Sequence, residues 1–275
     1  MMIKNVGIQG IRGSFHHQVV EQYYPSTPAL LECLSFDALA RGVAEGKCDQ
    51  AVMAIENSIA GSILPNYALL DQYELVIVGE HYLGIEHNLM ALKGQTVEDI
   101  REVRSHPMAL LQCKKFFAAH PHIKLVESHD TAEEALKIGQ DQTPGIGAIA
   151  GAGAAKIYGL EILSPSIQTI KNNVTRFVIV QKQLPSDLDQ ISKAGWKFVL
   201  DHKRGSLATA LNVMSDCNLN LTKIQSLPVI ETPGKYAFFV DVTFEDPKDY
   251  FKAKSLLEIM ATAFKVLGEY PSGKS

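Results

Sequence analysis

The sequence predicts an α/β protein that has a larger two-lobed domain and a smaller βαββαβ domain. Short β-branched runs alternate with helical patterns through the first part of the 275-residue chain, which is typical of a sheet covered by helices. This alternation starts again after Gly94, so we expect two similar α/β lobes with a cleft between them. A polar, proline-containing stretch precedes the second, more compact pattern. We therefore predict a larger domain at residues 1–182, a linker at 183–193 and a small domain at 194–275.

The larger domain shows strand, turn and helix patterns in a regular order. A strand over residues 4–9 leads through a glycine-rich turn into a helix. Asp37 is the predicted N-cap of a helix at residues 38–45, and Thr131 that of a helix at residues 132–138. Further strands are predicted at residues 30–36, 50–55, 75–80, 86–92, 102–105, 123–127, 146–150 and 174–181, and further helices at 108–119 and 152–158.

The small domain has a simpler pattern. Its predicted order is a strand at residues 196–201, a helix at 206–217, strands at 220–226 and 236–244, a helix at 249–264 and a strand at 266–270. The second helix carries an apolar stripe that includes Ala253, Leu257 and Met260. The order βαββαβ is the ferredoxin-like arrangement.

Composition excludes several classes of function. With 26 basic and 30 acidic residues the net charge is −4, and there is no basic stripe of the kind that binds nucleic acid. No uncharged apolar stretch approaches the length of a membrane span, and we see no secretory signal. The cysteines lack CxxC spacing and are expected to be reduced, mostly buried thiols: Cys33, Cys48, Cys113 and Cys217. We therefore expect a cytoplasmic protein with no membrane or nucleic-acid partner.

Polar or glycine residues follow several predicted strands and are candidates for a ligand site. The turn with Gly13 and Ser14 either binds a carboxylate or phosphate through free N–H groups, or is a tight turn that needs glycine. Asn57 and Ser58 follow a buried strand, where side chains commonly face a ligand crevice, but both are also good helix caps. The pair Ser105 and His106 has the same placement and the same two interpretations.

The segment from Asn173 to Phe177 is the most informative stretch of the larger domain. Arg176 offers two parallel N–H donors to a carboxylate, and Thr175 offers a hydrogen bond to a leaving hydroxyl. An ordinary strand with an exposed arginine is the alternative.

Two other motifs favour a structural role. The segment from Gly151 to Lys156 has a long side chain at the third glycine position of a dinucleotide fingerprint, so helix packing explains it better than nicotinamide binding. The histidines at positions 16, 17, 120 and 122 lack an evident third ligand, so we predict solvated histidines and no metal.

Taken together and in order, these segments resemble one family, prephenate dehydratase with a C-terminal ACT regulatory domain. The similarity covers nearly the whole chain, and the Thr-Arg-Phe at positions 175–177 is its sharpest part. The runs that carry it lie at residues 9–15, 55–58, 61–62, 105–107, 109–110, 112–113, 148–150, 158–160, 173–177, 205–207 and 220–224.

The resemblance implies a two-lobed, periplasmic-binding-protein-like catalytic domain and a carbon–oxygen lyase. Prephenate would lose carbon dioxide and water to give phenylpyruvate in phenylalanine biosynthesis, with no cofactor and no metal. Thr175 would be the catalytic hydrogen-bond donor. The substrate would be bound by Gly13, Ser14, Asn57, Ser58, Ser105, His106, Arg176 and Phe177.

The resemblance also implies regulation. L-Phenylalanine would bind the ACT domain, and the chain would be a monofunctional homodimer or homotetramer without a chorismate-mutase extension. Two departures bear on these expectations. Met108 replaces the family's usual glutamine, and we hypothesise that Gln112, one helical turn further on, partly substitutes for it. In the ACT domain, Ser206, Gln225 and Leu227 replace the family's usual residues. The effector site would comprise Gly205, Ser206, Leu207, Asn220 and Leu221.

Three other functions are weighed against this one. Arogenate dehydratase carries out the same elimination on an amino-acid substrate, and the sequence does not separate the two. A solute-binding or sensor module has a similar two-lobed cleft, but the Asn-Val-Thr-Arg-Phe run favours chemistry. A nicotinamide oxidoreductase requires a glycine fingerprint that this chain lacks.

Overall fold

The computed structural model describes residues 3–183, 191–229, 232 and 234–273. Contacts within the chain define two compact units, Met1–Asn66 with His81–Phe177 and Tyr67–Glu80 with Val178–Ser275. Residues 184–190 of the predicted linker lie outside the described residues, and the domain boundaries given above stay predictions. Each unit is described here by itself.

The first lobe of the larger unit is built on parallel strands. Its sheet includes β1 (Asn5–Gln9), β2 (Ala29–Cys33) and β3 (Gln50–Asn57), with β1 hydrogen-bonded to both of the others. Its other elements are α1 (Phe15–Tyr23), α2 (Phe36–Ala44), β4 (Gly61–Ser62), the start of α3 (Leu64–Gln72), the end of β5 (Val76–Gly84) and the start of β11 (Val174–Gln181). Because the crossover from each parallel strand to the next contains a helix, β1 is buried and its Val6 and Ile8 form part of the core.

The second lobe repeats this plan with a mixed sheet. Its strand order is β10 (Glu161–Ser164), β6 (Asn88–Ala91), β9 (Ile146–Ala150), β7 (Glu102–Ser105) and β8 (Lys124–Glu127). Its helices are α4 (Pro107–Gln112), α5 (Lys114–Ala118), α6 (Thr131–Asp141) and α7 (Ala152–Tyr158). The predicted pair of α/β lobes is therefore confirmed.

Two predicted helix caps were wrong by one or two residues. Helix α2 is capped by Ser35, whose hydroxyl accepts from the N–H of Ala38, and Asp37 lies in the first turn. Helix α6 is capped by Asp130, which accepts from two backbone N–H groups, while Thr131 is the first helical residue. In each case the observed cap, Ser35 or Asp130, has the extended backbone that a cap requires.

The smaller unit has the predicted βαββαβ order. It consists of β12 (Lys193–Val199), α8 (Ser206–Asp216), β13 (Asn220–Pro228), β14 (Tyr236–Thr243), α9 (Pro247–Met260) and β15 (Ala263–Tyr270). Trp196, Phe198, Met214 and Tyr250 form the centre of its core. Three features differ from the prediction. Strand β12 begins at Lys193, and α9 ends at Met260, so that residues 263–264 belong to β15 and not to the helix. Residues from Tyr67 to Glu80 also belong to this unit.

The segment from Tyr67 to Glu80 adds a strand edge to the small unit. Residues of β5 lie beside β15, with Gly268 opposite Ile77, and a Cβ at Gly268 would overlap the carbonyl oxygen of Ile77. Glu80 also forms a buried ion pair with Lys193, at 2.8 Å between carboxylate oxygen and Nζ. Glycine is therefore needed where these two backbones meet. Among the described residues, no helix is long and apolar enough to cross a membrane.

Candidate active site

The larger unit contains a cleft of about 320 Å³ that is lined by residues of both lobes. Its walls combine apolar side chains with polar groups from the ends of strands and the starts of helices, as is usual for small-molecule sites. The titratable side chains among its described lining residues are four histidines and one carboxylate, with no lysine or arginine: His16, His87, His106, His129 and Asp130. The size and lining suit a small polar ligand.

Thr175 lies in this cleft on β11, and Asn57 at the end of β3 fixes the direction of its hydroxyl. Asn57 Oδ1 accepts hydrogen bonds from the backbone N–H groups of Ile59 (3.0 Å) and Ala60 (2.9 Å). The amide of Asn57 must therefore present Nδ2 on its other side, where it donates to Thr175 Oγ1 at 2.9 Å. Since the oxygen of Thr175 accepts this bond, its own O–H proton is available to a ligand.

A chain of side-chain hydrogen bonds continues from Asn57 into the second lobe. Asn57 Nδ2 donates to Asn173 Oδ1 at 2.7 Å, and Asn173 Nδ2 donates to Gln112 Oε1 at 3.0 Å. The same Gln112 oxygen lies 2.9 Å from His87 Nε2. Gln112 therefore lines the cleft, and its oxygen accepts from two side chains of the protein. That it partly substitutes for the family's usual glutamine stays a prediction.

The apolar wall of the cleft is aromatic. The ring of His16 contacts Phe177 edge-to-face, with 4.9 Å between centroids, and also packs against Phe36 at 5.6 Å. Burial lowers the pKa of His16 to about 3, so its imidazole is neutral. The prediction that the first histidine pair is solvated was wrong, because His16 and His17 are only 8% and 6% exposed. Helix α1 turns its first residues toward the core, and so it buries both rings.

Five of the residues predicted for the site come together at the cleft. Thr175 and Phe177 lie two positions apart on β11 and therefore share one face of the strand. Ser14 is the N-cap of α1 and His106 is the N-cap of α4, so both follow strands of their lobes. The five are Ser14, Asn57, His106, Thr175 and Phe177.

The other predicted residues are absent from the described cleft wall. Ser105 is fully buried and its hydroxyl donates to the carbonyl of Ile149 at 2.8 Å. Ser58 Oγ accepts from the N–H of Val174 at 2.9 Å, which joins the end of β3 to β11. The N–H of Gly13 donates to His17 Nδ1 at 3.1 Å, so it is not presented to a ligand there.

Arg176 lies between two cleft residues but on the other face of β11. Successive side chains of a strand point to opposite faces, so Arg176 points away from the face that carries Thr175 and Phe177. Arg176 is only 4% exposed, so the alternative of an ordinary strand with an exposed arginine is wrong. The structure therefore does not bring Arg176 to the ligand with Thr175.

Several residues of the cleft were not predicted from the sequence. Neither His87 nor Asp130 was singled out as a site residue, and Asn173 was named only as the start of a motif. His87 lies between β5 and β6, but the predicted strand at residues 86–92 contains it, so the position after a strand that identified Asn57 gave no signal here. His16 was predicted to be solvated rather than to line a site.

Neither a metal centre nor a disulfide is found among the described residues. No group of three or more histidine, cysteine or acidic side chains there is arranged to hold a metal ion. All four cysteines are buried free thiols, as expected from their spacing.

The predicted effector residues lie in the smaller unit. Gly205 has a φ of 86° and is the N-cap of α8, so Ser206 and Leu207 form the first turn of that helix. Asn220 and Leu221 begin β13. Gly205 and Asn220 are exposed, and the other three are half-buried.

A two-lobed α/β unit with a donor hydroxyl in its cleft defines an enzyme or binding protein for a small polar molecule. Comparison with known proteins identifies the family. Residues 6–184 match the family described as prephenate dehydratase, and the chain belongs to that family. Arogenate dehydratase 2 of Petunia hybrida is 37% identical over 97% of this chain and 71% of its own length.

Solved structures agree with this assignment. Prephenate dehydratase of Arthrobacter aurescens, solved in complex with L-phenylalanine, superposes with a TM-score of 0.87 at 26% identity, covering 98% of this chain and 90% of that one. GqqA, described as a novel type of quorum quenching acylase, has a TM-score of 0.88 at 28% identity, covering 98% of this chain and 99% of that one. The chain therefore has the periplasmic-binding-protein-like fold of its family. It is a lyase with prephenate or arogenate dehydratase activity in aromatic amino acid biosynthesis.

Proposed function

We propose that the cleft converts prephenate to phenylpyruvate, carbon dioxide and water, with Thr175 as the catalytic hydrogen-bond donor. The observation that carries this proposal is the bond from Asn57 Nδ2 to Thr175 Oγ1, which directs the threonine proton into the cleft. The carbon–carboxylate bond of the ring breaks, and its electron pair moves through the ring to expel the hydroxyl group at the opposite position. The ring becomes aromatic, and the hydroxide that leaves takes a proton from solvent to form water.

The residues around Thr175 suit an assisted elimination. A threonine hydroxyl is a weak acid, so it stabilises the developing charge on the leaving oxygen by a hydrogen bond. The hydrogen bond that Asn57 donates polarises the hydroxyl of Thr175, so that this hydroxyl donates more strongly to the leaving oxygen. The N-terminus of α1 lies at the cleft wall and provides a partial positive charge for a substrate carboxylate. Phe177, His16 and Phe36 form an apolar surface for the ring.

The acylase activity of one structural relative is not part of this proposal. Covalent acyl transfer requires a hydroxyl or thiol activated by a base. In this cleft the oxygen of Thr175 accepts from an amide NH₂, which acidifies the hydroxyl slightly and does not remove its proton.

The test is phenylpyruvate formation from prephenate by the purified protein and two Thr175 variants. Thr175→Val has nearly the same shape but no hydroxyl, and we expect kcat to fall about 10²–10⁴-fold. Thr175→Ser keeps the hydroxyl and should retain most of the activity. Equal activity of the valine variant and the wild type would exclude Thr175 as the donor.

We also propose that the smaller unit is an ACT domain that binds L-phenylalanine and lowers the activity. Its βαββαβ order supports this proposal, as does the phenylalanine complex of the Arthrobacter aurescens relative. The site would include Gly205, Ser206, Leu207, Asn220 and Leu221, in a homodimer or homotetramer. Activity measured against increasing L-phenylalanine, together with the mass in solution by light scattering, tests both parts.

The buried free thiols support the expected reducing, cytoplasmic location.

A further inference from the structure

The cleft offers little positive charge to prephenate, which carries two carboxylates. Its described lining includes no lysine or arginine, so a full positive charge on a side chain of that lining can come only from a histidine. The N-terminus of α1 supplies a partial charge. The four histidines of the lining therefore decide where a charged group can hold a carboxylate.

Three of these four histidines do not suit that role. Burial lowers the pKa of His16 to about 3 and also lowers the pKa of His87, so both rings are neutral. His106 Nδ1 accepts a hydrogen bond from the N–H of Met108 at 3.2 Å. An imidazolium has a proton on both nitrogens and cannot accept, so charging His106 would break the cap of α4.

His129 is the fourth histidine, and the rest of the described chain leaves its ring unoccupied. It lines the cleft between β8 and α6 and is exposed. No described residue forms a hydrogen bond, an ion pair or a ring contact with its imidazole. An exposed imidazole gains a positive charge at mildly acidic pH. His129 can therefore carry this charge without breaking a bond of the protein.

The backbone on both sides of His129 is fixed. The N–H of Ser128 donates to the carbonyl of Ser105 at 2.9 Å, and its hydroxyl donates to Glu134 Oε1 at 2.6 Å. Asp130 caps α6 through Oδ1, which accepts from two backbone N–H groups at 2.7 and 3.0 Å. The positive end of α6 thereby offsets the negative charge of Asp130 beside the ring. His129 is thus held at a defined position in the second lobe.

The chemistry of the elimination decides which carboxylate a positive charge should hold. The ring carboxylate of prephenate leaves as carbon dioxide, and its electron pair moves toward the leaving hydroxyl group. A full positive charge beside it would stabilise these electrons in the ground state and slow the reaction. The carboxylate of the pyruvyl side chain keeps its charge throughout. A contact with that group is therefore equally strong in the ground state and in the transition state.

We propose that His129, as an imidazolium, binds the carboxylate of the pyruvyl side chain of prephenate. This proposal rests on the proposed function, because it assigns a substrate group to the same cleft. His129 then holds the unreactive end of the substrate from the second lobe, and the ring is left to Thr175 and the aromatic wall. Binding of this uniform kind lowers KM and leaves kcat unchanged.

Substitutions of His129 test this role by binding as well as by turnover. His129→Gln keeps a polar side chain of similar length without the charge, and His129→Lys restores a positive charge. His122→Gln is the matched control. His122 is an exposed histidine of the same lobe, lies 3.4 Å from the carbonyl of Val97 and is absent from the described cleft wall.

The measurements on the full chain are kcat and KM for prephenate and, by calorimetry, the dissociation constant of phenylpyruvate, all at about pH 6, where an imidazole can be charged. Phenylpyruvate keeps the pyruvyl carboxylate and lacks the ring carboxylate, so it shows which of the two is held.

We expect His129→Gln to raise KM for prephenate and the dissociation constant of phenylpyruvate by the same factor, about tenfold, through the loss of one hydrogen bond between charged groups. The kcat should stay within about twofold of the wild type. His129→Lys should recover most of the affinity, and His122→Gln should change neither constant. Added salt should raise KM more steeply in the wild type than in His129→Gln, because salt screens the attraction between charges.

Three results would overturn this proposal and leave the proposed function intact. An unchanged KM in His129→Gln would show that His129 does not bind the substrate. A higher KM with an unchanged dissociation constant for phenylpyruvate would move the contact to the ring carboxylate. Equal losses in His122→Gln would show that the effect is not specific to the cleft. A wild type that does not convert prephenate would overturn both proposals together.

Discussion

The substitution Asn57→Asp tests the orientation of Thr175 with almost no change in shape. One carboxylate oxygen can keep both backbone N–H bonds that now reach Asn57 Oδ1. The other oxygen replaces Nδ2, 2.9 Å from Thr175 Oγ1 and 2.7 Å from Asn173 Oδ1, so the amide of Asn173 must turn its NH₂ toward the new carboxylate. A hydroxyl beside a carboxylate donates to it, because a hydrogen bond to an ionised acceptor is stronger than one to a neutral group. The threonine proton would then point away from the leaving oxygen.

The size of the effect follows from the loss of one donor. Removing a single preorganised donor from a developing oxyanion costs about 10²–10³-fold in kcat. The added charge also lies close to a substrate that carries carboxylates, so KM should rise as well. We therefore expect kcat to fall about 100-fold or more, since the donor is lost even though the fold is kept.

The assay is steady-state kinetics on the preferred substrate, with circular dichroism and urea unfolding to check the fold. Asn172→Asp is the matched control, because it adds the same charge at an exposed position beside Asn173. This control should lower kcat far less than Asn57→Asp. A kcat for Asn57→Asp within about threefold of the wild type would refute the argument that Asn57 directs the hydroxyl of Thr175.

Two further predictions concern stability and regulation. Since burial lowers the pKa of His16 from 6.5 to about 3, the folded protein binds this proton less readily than the unfolded chain. The free energy of unfolding is therefore highest above pH 6.5, where His16 is largely neutral in both states. It decreases by about 2 kcal/mol between pH 6.5 and 5, because the unfolded chain takes up the proton and the folded protein does not. Urea unfolding should show this slope in the wild type and a smaller one in His16→Leu, and equal slopes would contradict the assignment. Gly205→Ala places a side chain at a φ of 86°, at a cost of about 1 kcal/mol. The added methyl group would also lie in the proposed effector site, so the concentration of L-phenylalanine for half-maximal inhibition should rise, and an unchanged value would exclude Gly205 from the effector site.

Local patterns in the sequence predicted much of the fold and part of the site. The βαββαβ order and the paired lobes followed from alternating periodicities, which depend on neighbouring residues. Ser14, Asn57 and His106 were found because each follows a strand, where loops of α/β proteins form ligand clefts. Thr175 and Phe177 were found together with Arg176, although strand alternation alone separates them into two faces.

Other differences between the prediction and the structure came from partners that are distant in sequence. Ser105 occupies a suitable position after a strand, but the carbonyl of Ile149, from another strand, takes its hydroxyl. His16 and His17 lie at the start of a helix and were expected to be solvated. They are buried because α1 packs onto the sheet with that face inward. Residues from Tyr67 to Glu80 belong to the smaller unit because β5 meets β15, and that pairing leaves no local signal.

The sequence by itself determined the elements, their order and the positions after strands that form the cleft. Only the tertiary structure decided the direction of the hydrogen bonds within it. The orientation of a side-chain amide and the tautomer of an imidazole are set by their hydrogen-bond partners. For Asn57, Asn173, Gln112 and His87 those partners come from four separate segments of the chain. The direction of the Thr175 proton is therefore a property of the folded chain.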